Sequence, residues 1–392
     1  MIETSDKRNC TGCGACINAC PKQIITFLED EEGFIYPHIE ADKCINCHLC
    51  EKSCPMLLDR TALCKKKEGF PLFYAGQLFN KEDLLQVSSG GAFWAFSQSV
   101  IDKGGIVYGA IQESVDVIFH FRADNTENIK RIRRSKYFQS DTKFTMREVR
   151  EDLRRGLFVL YSGTGCQIAG LKAFLAKEYD NLVTCDVVCH GVPSRKVWKK
   201  YREEKEQHEG KKIQSLIFRD KSAGWSKNQY KITYEDGSIE KEPSPIQMFH
   251  AGYLKGIFYR PSCGSCRWAS LPRVADVTLA DFWKYQGVFR KPGADLGVSL
   301  ITVNTVKGFE LLQESSKYLK FEETSRELAL NSCRHLDNHP KENPNRTAFF
   351  NFFFQEGYYA AAEKFIIENR NKNLFVRVLK KIIRPLKILF GK

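Results

Sequence analysis

Cys10-Thr11-Gly12-Cys13-Gly14-Ala15-Cys16-Ile17-Asn18-Ala19-Cys20-Pro21 recurs 34 residues later as Cys44-Ile45-Asn46-Cys47-His48-Leu49-Cys50-Glu51-Lys52-Ser53-Cys54-Pro55. Each copy has the spacing Cys-x2-Cys-x2-Cys-x3-Cys-Pro. A 4Fe-4S cubane needs four thiolates, of which one tight loop supplies three and the other half of the pseudo-repeat supplies the fourth. The expected ligand sets are therefore Cys10, Cys13, Cys16 and Cys54 for one cluster, and Cys44, Cys47, Cys50 and Cys20 for the other. Gly12 and Gly14 let backbone amides approach the sulfides, and each proline turns the chain away. Zinc ribbons use two separated cysteine pairs rather than runs of four, so two clusters are the expected cofactors and residues 1–60 the expected ferredoxin domain.

Around this head the chain changes character. Residues 1–60 hold six Lys/Arg against ten Asp/Glu, whereas the rest holds 54 against 37, a net +17. An acidic head thus precedes a basic body, which raises phosphate-bearing cofactors, anionic lipid or nucleic acid as partners without choosing among them. At 392 residues the chain suits two or three domains. The start, MIETSDKRNC, lacks the basic-then-apolar pattern of a secretory signal, and Lys or Arg interrupts every apolar window before it reaches membrane-spanning length. Fifteen cysteines at tight spacings in such a chain imply metal or redox use in a reducing cytoplasm rather than disulfides.

Residues 61–70 read as a polar linker. Beyond them, Leu72–Leu78, Ile106–Ala110, Val115–Phe121, Leu157–Tyr161, Leu182–Val188, Val274–Leu279 and Val298–Val303 read as strands. Helices are expected at Gly90–Asp102, at Gln167–Lys177 and from a Ser194 cap to about Gln207. Ile213–Phe218 and Tyr230–Tyr234 read as a hairpin closed near Asp236-Gly237. This alternation predicts a mixed α/β body over 71–345, followed by aromatic-rich and basic amphipathic helices over 346–392. Asn371–Lys392 carries seven basic and no acidic residues, with Leu374, Val378, Ile382 and Leu386 at helical spacing. It reads either as a final helix docked on the core or as a segment that meets a membrane surface or partner. The aromatic run Phe349, Phe350, Phe352, Phe353 and Phe354 reads as packing.

A second cysteine set is looser: Cys166, Cys185, Cys189, and Cys263-x2-Cys266. Cys166 follows a predicted strand at a helix start, where unpaired amides favour a thiolate or an anionic cluster. On spacing alone, buried structural thiols with a small zinc site at Cys263 and Cys266 weigh as much. Ser88-Ser89-Gly90-Gly91 precedes a helix, so its amides suit phosphate oxygens or simply a helix cap. His190 reads as a proton donor or as a structural histidine.

Seven stretches in order carry a resemblance: SSGGAFWAF at 88–96, SKYFQS at 135–140, SGTGCQIAGLK at 162–172, CHGVPS at 189–194, FRDKSAGW at 218–225, CGSCRW at 263–268 and RVADVTLADFW at 273–283. With them the chain resembles the β subunits of coenzyme F420 (deazaflavin) hydrogenases and dehydrogenases, in the form with a two-cluster ferredoxin in front. The likeness runs to about residue 304. It implies an α+β protein, a dicluster ferredoxin domain followed by a mixed α/β flavin-binding domain, with FAD and a third 4Fe-4S cluster. By the same resemblance, Cys166, Cys189, Cys263 and Cys266 would hold the third cluster, and Cys64, Cys185 and Cys333 would be ordinary thiols. Ser89, Gly90, Gly91, Ser135, Lys136, Tyr137 and Gln139 would contact the flavin. The sequence departs from the family at Gly165, where a proline usually precedes the cysteine, so the loop loses a rigid turn.

The function expected is an iron–sulfur flavoprotein oxidoreductase that moves electrons between ferredoxin-type clusters, FAD and a hydride acceptor or donor. Similar bacterial chains are associated with surface-polysaccharide synthesis, where the deazaflavin need not be the substrate. Two alternatives remain open. One is an electron-transfer subunit whose redox partner protein holds the substrate. The other is a cluster-containing nucleic-acid binder, against which stands the lack of any nucleic-acid module or basic helical stripe before the tail. A cytoplasmic protein, in peripheral contact with a membrane if the tail meets one, is expected.

Overall fold

The computed structural model describes residues 2, 6–243, 248–290 and 295–367. The basic segment expected at 371–392 lies outside them. In the head, each cysteine loop runs into a short helix, Ala15–Ala19 or Leu49–Lys52. Between the two loops β1 (Ile25–Glu29) pairs antiparallel with β2 (Ile35–Ile39), Ile25 facing Ile39. The turn is built by Asp30, whose carboxylate accepts from the amides of Glu32 and Phe34, with Gly33 at φ +86°.

Eleven further strands follow: β3 (Leu72–Leu78), β4 (Ile106–Gln112), β5 (Ile118–Ala123), β6 (Val159–Thr164), β7 (Leu182–Val187), β8 (Ile213–Asp220), β9 (Gln229–Tyr234), β10 (Ile239–Pro243), β11 (Val277–Asp281), β12 (Ser299–Val303) and β13 (Leu319–Glu323). Eight of them form one mixed sheet in the order β13-β3-β12-β11-β7-β6-β4-β5. Its centre is parallel: β4 with β6, β6 with β7, and β7 with β11. Central strands covered on both faces need apolar residues at successive positions, which explains why SLITV of β12 is buried throughout. One core gathers Phe96, Leu160, Val183, Ile301 and Leu311, and another Tyr108, Met146, Tyr161, Ile168 and Trp268.

A smaller sheet, β10-β9-β8, packs with an aromatic cluster that includes Trp198, Phe249 and Phe258, and the helix Arg346–Glu356 adds Phe349, Phe350 and Phe353 to it. The predicted hairpin needs correction here. β8 and β9 do pair, with Leu216 facing Ile232, but the chain passes between them through residues 221–228. Asp236-Gly237 instead turns β9 into β10, where Asp236 accepts from the Ser238 amide and Gly237 takes φ +79°. The turn chemistry was legible. The strand Ile239–Pro243, charged at three of five positions, carries no alternating apolar signal.

Residues 61–70 begin within a helical turn, Arg60–Leu63, and Cys64 is buried. Arg60 donates to the carbonyls of Arg267, Ser270 and Pro272 at 2.7–2.8 Å, and Arg267 returns hydrogen bonds to Met56 and Leu58. The head is therefore fastened to the body at its exit.

Candidate metal centre

The two cysteine loops share one backbone conformation in different surroundings. Two and four residues after the first cysteine of each loop the chain is left-handed, at Gly12 (φ +65°) and Gly14 (φ +82°) in one half and at Asn46 (φ +52°) and His48 (φ +58°) in the other. Glycine is the residue type that adopts this region without strain. The first half has a further need for it: a Cβ on Gly14 would lie 2.1 Å from Thr142 Oγ1, and one on Gly12 2.9 Å from Gln139 Nε2. Asn46 and His48 are exposed, so side chains fit there.

Cys20, Cys44, Cys47 and Cys50 line one cavity with Pro21, Ile24, Ile25, Ile39 and Ile45, and Cys47 is open to solvent. Cys10, Cys13, Cys16 and Cys54 lie within electrostatic reach of one another on the side facing the body. Burial raises the thiol pKa of Cys13 and Cys16, and their neighbours raise it further. Such a set of buried sulfurs suits a group that holds thiolates through bonds to metal.

A third quartet meets beside this inner one. Cys166 and Cys189 lie just beyond the carboxyl ends of the adjacent parallel strands β6 and β7, the edge at which open α/β sheets present ligand sites. Cys263 and Cys266 belong to or close the turn Pro261–Ser265, and Pro193 bridges to Tyr259 just ahead of it. The Gly191 amide donates to Cys189 Sγ and the Val192 amide to Cys263 Sγ, both at 3.4 Å. Burial first, then Cys166 and Cys266, push the Cys189 thiol up to about 12, and Cys266 is pushed to about 11 by burial and Cys166. Cys13 connects the quartets: it interacts electrostatically with Cys166, and a Cβ on Gly170, one turn along the same helix, would lie 2.9 Å from Cys13 Sγ. Among the described residues no three His, Cys, Asp or Glu side chains converge on one ion.

Gly165 opens the helix Gly165–Leu175. Its loop is held without proline, because Gln167 Oε1 accepts from the Thr164 amide at 3.0 Å while Gln167 Nε2 donates to Ser140. A Cβ at 165 would stand 3.1 Å from Trp268 and 3.2 Å from Asp186, which explains the small residue. Asp186 itself pairs with buried Arg273.

The residues tied to a flavin by resemblance fall into two groups. Ser89, Gly90, Gly91, Ser135 and Lys136 come together, joined by a 2.7 Å bond from the Ser135 amide to Ser88 Oγ. Gly90 is demanded by packing, since a Cβ would lie 2.1 Å from the Gly76 carbonyl, and Ser89 Oγ donates to Val298. Lys136 donates to the carbonyls of Ile132 and Arg133, and burial lowers its pKa to about 7. A cavity of about 240 Å³ beside them is lined by Ser114, Arg131, Arg133, Arg134, Ser135 and Lys136 among others. Tyr137 instead packs in the aromatic core against Phe218 and Tyr253. Gln139 reaches the head, donating to the carbonyls of Thr11 and Gly12 at 2.8 and 2.9 Å. Sequence reasoning missed Lys221, whose ammonium donates to Leu84, Ser89 and Leu296 carbonyls, and Arg147 and Arg260, which grip the head. Only FRDKSAGW, which contains Lys221, offered a signal.

Residues 158–327 match the family model for the C-terminal part of the coenzyme F420 hydrogenase/dehydrogenase beta subunit, and residues 9–57 match the 4Fe-4S dicluster domain. The chain carries the C-terminal domain of the F420 hydrogenase/dehydrogenase β subunit behind a 4Fe-4S dicluster domain. It is an electron-transfer iron–sulfur protein. An uncharacterized ferredoxin of Methanocaldococcus jannaschii is 35% identical over 65 residues, which span 16% of this β-subunit relative and 83% of the ferredoxin. Among solved structures, the xenon-derivatized F420-reducing NiFe hydrogenase complex of Methanosarcina barkeri contains a chain 16% identical, with a TM-score of 0.45 over 71% of this chain and 99% of that one. No helix among the described residues is long and apolar enough to cross a membrane.

Proposed function

We propose that the chain is an iron–sulfur flavoprotein oxidoreductase in which single electrons move, in either direction, between a cluster held by the exposed quartet (Cys20, Cys44, Cys47, Cys50) and one held by the inner quartet (Cys10, Cys13, Cys16, Cys54). Cys166, Cys189, Cys263 and Cys266 would hold a third 4Fe-4S cluster beside the inner one, and the cavity beside Ser135 and Lys136 would hold FAD. The observation that carries the reading is that Cys166, Cys189, Cys263 and Cys266 lie within electrostatic reach of one another, the first two just beyond the carboxyl ends of β6 and β7 and Cys166 also within reach of the head's Cys13. The cation-lined cavity beside Ser135 and Lys136 supports a phosphate-bearing cofactor there, with the Ser88–Gly91 segment as its neighbour. FAD supplies the exchange between one-electron and hydride chemistry: two electrons and one proton leave as one hydride equivalent. The basic residues lining the cavity would hold the phosphates of FAD. Its hydride acceptor belongs to surface-polysaccharide synthesis or is bound by a partner protein.

Anaerobic purification with iron, sulfide and flavin counted tests this. About twelve irons and one FAD are expected from three clusters. About eight irons without flavin would sink the reading and leave the dicluster head alone.

A further inference from the structure

Arg260 immediately precedes the turn Pro261–Ser265 that carries Cys263, and is 1% exposed. Its guanidinium donates to the Cys10 carbonyl at 2.9 Å, the Ile35 carbonyl at 2.9 Å, Gln139 Oε1 at 3.2 Å and Cys10 Sγ at 3.7 Å, and sits 4.3 Å from the centre of the Tyr36 ring. Four of these five partners belong to the head. Among the described residues no carboxylate pairs with it, in contrast to Arg273 with Asp186 or Arg346 with Glu32. A guanidinium stays charged when buried, and an unpaired buried charge costs several kcal/mol in a folded protein. Neutral carbonyls solvate such a charge but do not neutralise it. The anion within contact is a sulfur, Cys10 Sγ, and Cys166 lies within electrostatic reach of the guanidinium.

We propose that Arg260 is a positioning residue that supplies the counter-charge at the junction between the inner head cluster and the body, favouring the reduced state of the cluster bound by Cys10. Each transfer there moves one electron: the donor loses one, the inner cluster gains one and becomes one charge more negative, and no bond is made or broken. A fixed cation at the ligating sulfur stabilises that more negative form, and its hydrogen bond to the sulfur acts in the same direction. Among the described residues no buried cation donates to a sulfur of the outer quartet, and Lys22, which lines its cavity, is exposed. Arg147 donates to the Cys20 carbonyl at 2.6 Å, to the backbone and not to the sulfur.

This role rests on the two head clusters and not on the flavin or the third cluster, so an eight-iron, flavin-free protein would overturn the flavoprotein reading and leave the role of Arg260 testable. The full chain, reconstituted anaerobically, is compared with R260M and R260K by iron content and by redox titration of each cluster followed by electron paramagnetic resonance. With all head irons retained, R260M should move the midpoint of one head cluster to lower potential and leave the other in place, and R260K should restore most of that shift. If R260M fails to hold the inner cluster, retention of it by R260K supports the counter-charge. Unchanged midpoints in fully loaded R260M, or equal loss of the inner cluster in both variants, would overturn it, because shape and not charge would then be what the site requires.

Discussion

Gly14 and His48 occupy equivalent places in the two cysteine loops, with the same sign of φ, yet they respond to different constraints. Gly14→Ala combines a left-handed backbone with a Cβ 2.1 Å from Thr142 Oγ1, so it should destabilise the anaerobic holoprotein by roughly 1–3 kcal/mol in chemical denaturation. His48→Gly relieves strain but loosens the unfolded chain, and should stay within about 0.5 kcal/mol of neutral. Equal effects from the two substitutions would mean that the body does not press on the first loop. His120 illustrates a buried neutral ring. Its Nε2 contacts the Ser162 carbonyl at 2.9 Å and its Nδ1 meets Ser140 Oγ, with Asp141 and Lys136 as the nearby charges. Burial pulls its pKa from 6.5 down to about 4. Between those values the unfolded chain binds a proton that the folded chain does not, so stability falls as pH drops from 6.5 to 4 and levels off below. His120→Gln should lack this slope, which is worth on the order of 2–3 kcal/mol across that window, in unfolding curves compared pH by pH. Parallel wild-type and variant curves would show that His120 is not the group responsible.

At the scale of elements, the helix Gly165–Leu175 has to begin at a fixed point if Cys166 is to face Cys189. Gln167 sets that point by accepting from the Thr164 amide and donating to Ser140. Gln167→Ala should cost about 1–2 kcal/mol, read by denaturant titration. A variant as stable as wild type would show that packing alone sets the helix start. The β1–β2 hairpin is fastened at its tip, where Glu32 takes both terminal nitrogens of Arg346 and its carbonyl accepts from Ser194. Both charged side chains are largely buried, so Glu32→Gln should lower stability by about 1–3 kcal/mol and free the Arg346–Glu356 helix to exchange amide hydrogens faster. Unchanged exchange in that helix would exclude the tie. The hairpin Asp236-Gly237 shows how far local signals reach: they identified a turn correctly and attached it to the wrong strand pair, because β10 carries charge where an alternating pattern was sought.

For the whole molecule the head is asymmetric, one half open to solvent and the other packed on the body. Cys47 is exposed, whereas Cys13 is buried against the helix that carries Cys166. Cys47→Ser and Cys13→Ser should each lose about four of the eight head irons. Their consequences for the body should differ. Cys13→Ser, by loosening the inner loop, should make residues 60–70 sensitive to limited proteolysis, and Cys47→Ser should leave that segment as resistant as wild type. The same sensitivity in both variants would mean that the head does not need its inner loop to dock.

The cysteine spacing determined by itself that two clusters are bound, because a cubane's demand for three thiolates from one loop and one from another is met within some fifty residues of chain. The central strands were equally legible, since burial on both faces imposes apolar runs such as Leu182–Val187 and Ser299–Val303. Only the tertiary structure decided which half of the head faces inward, that Gln139 joins the head while Ser135 faces a cavity, and that Arg260 reaches Cys10 across 250 positions. Those facts depend on contacts between residues far apart in the chain, and neither spacing nor periodicity carries information about a partner brought near by the folding of everything between.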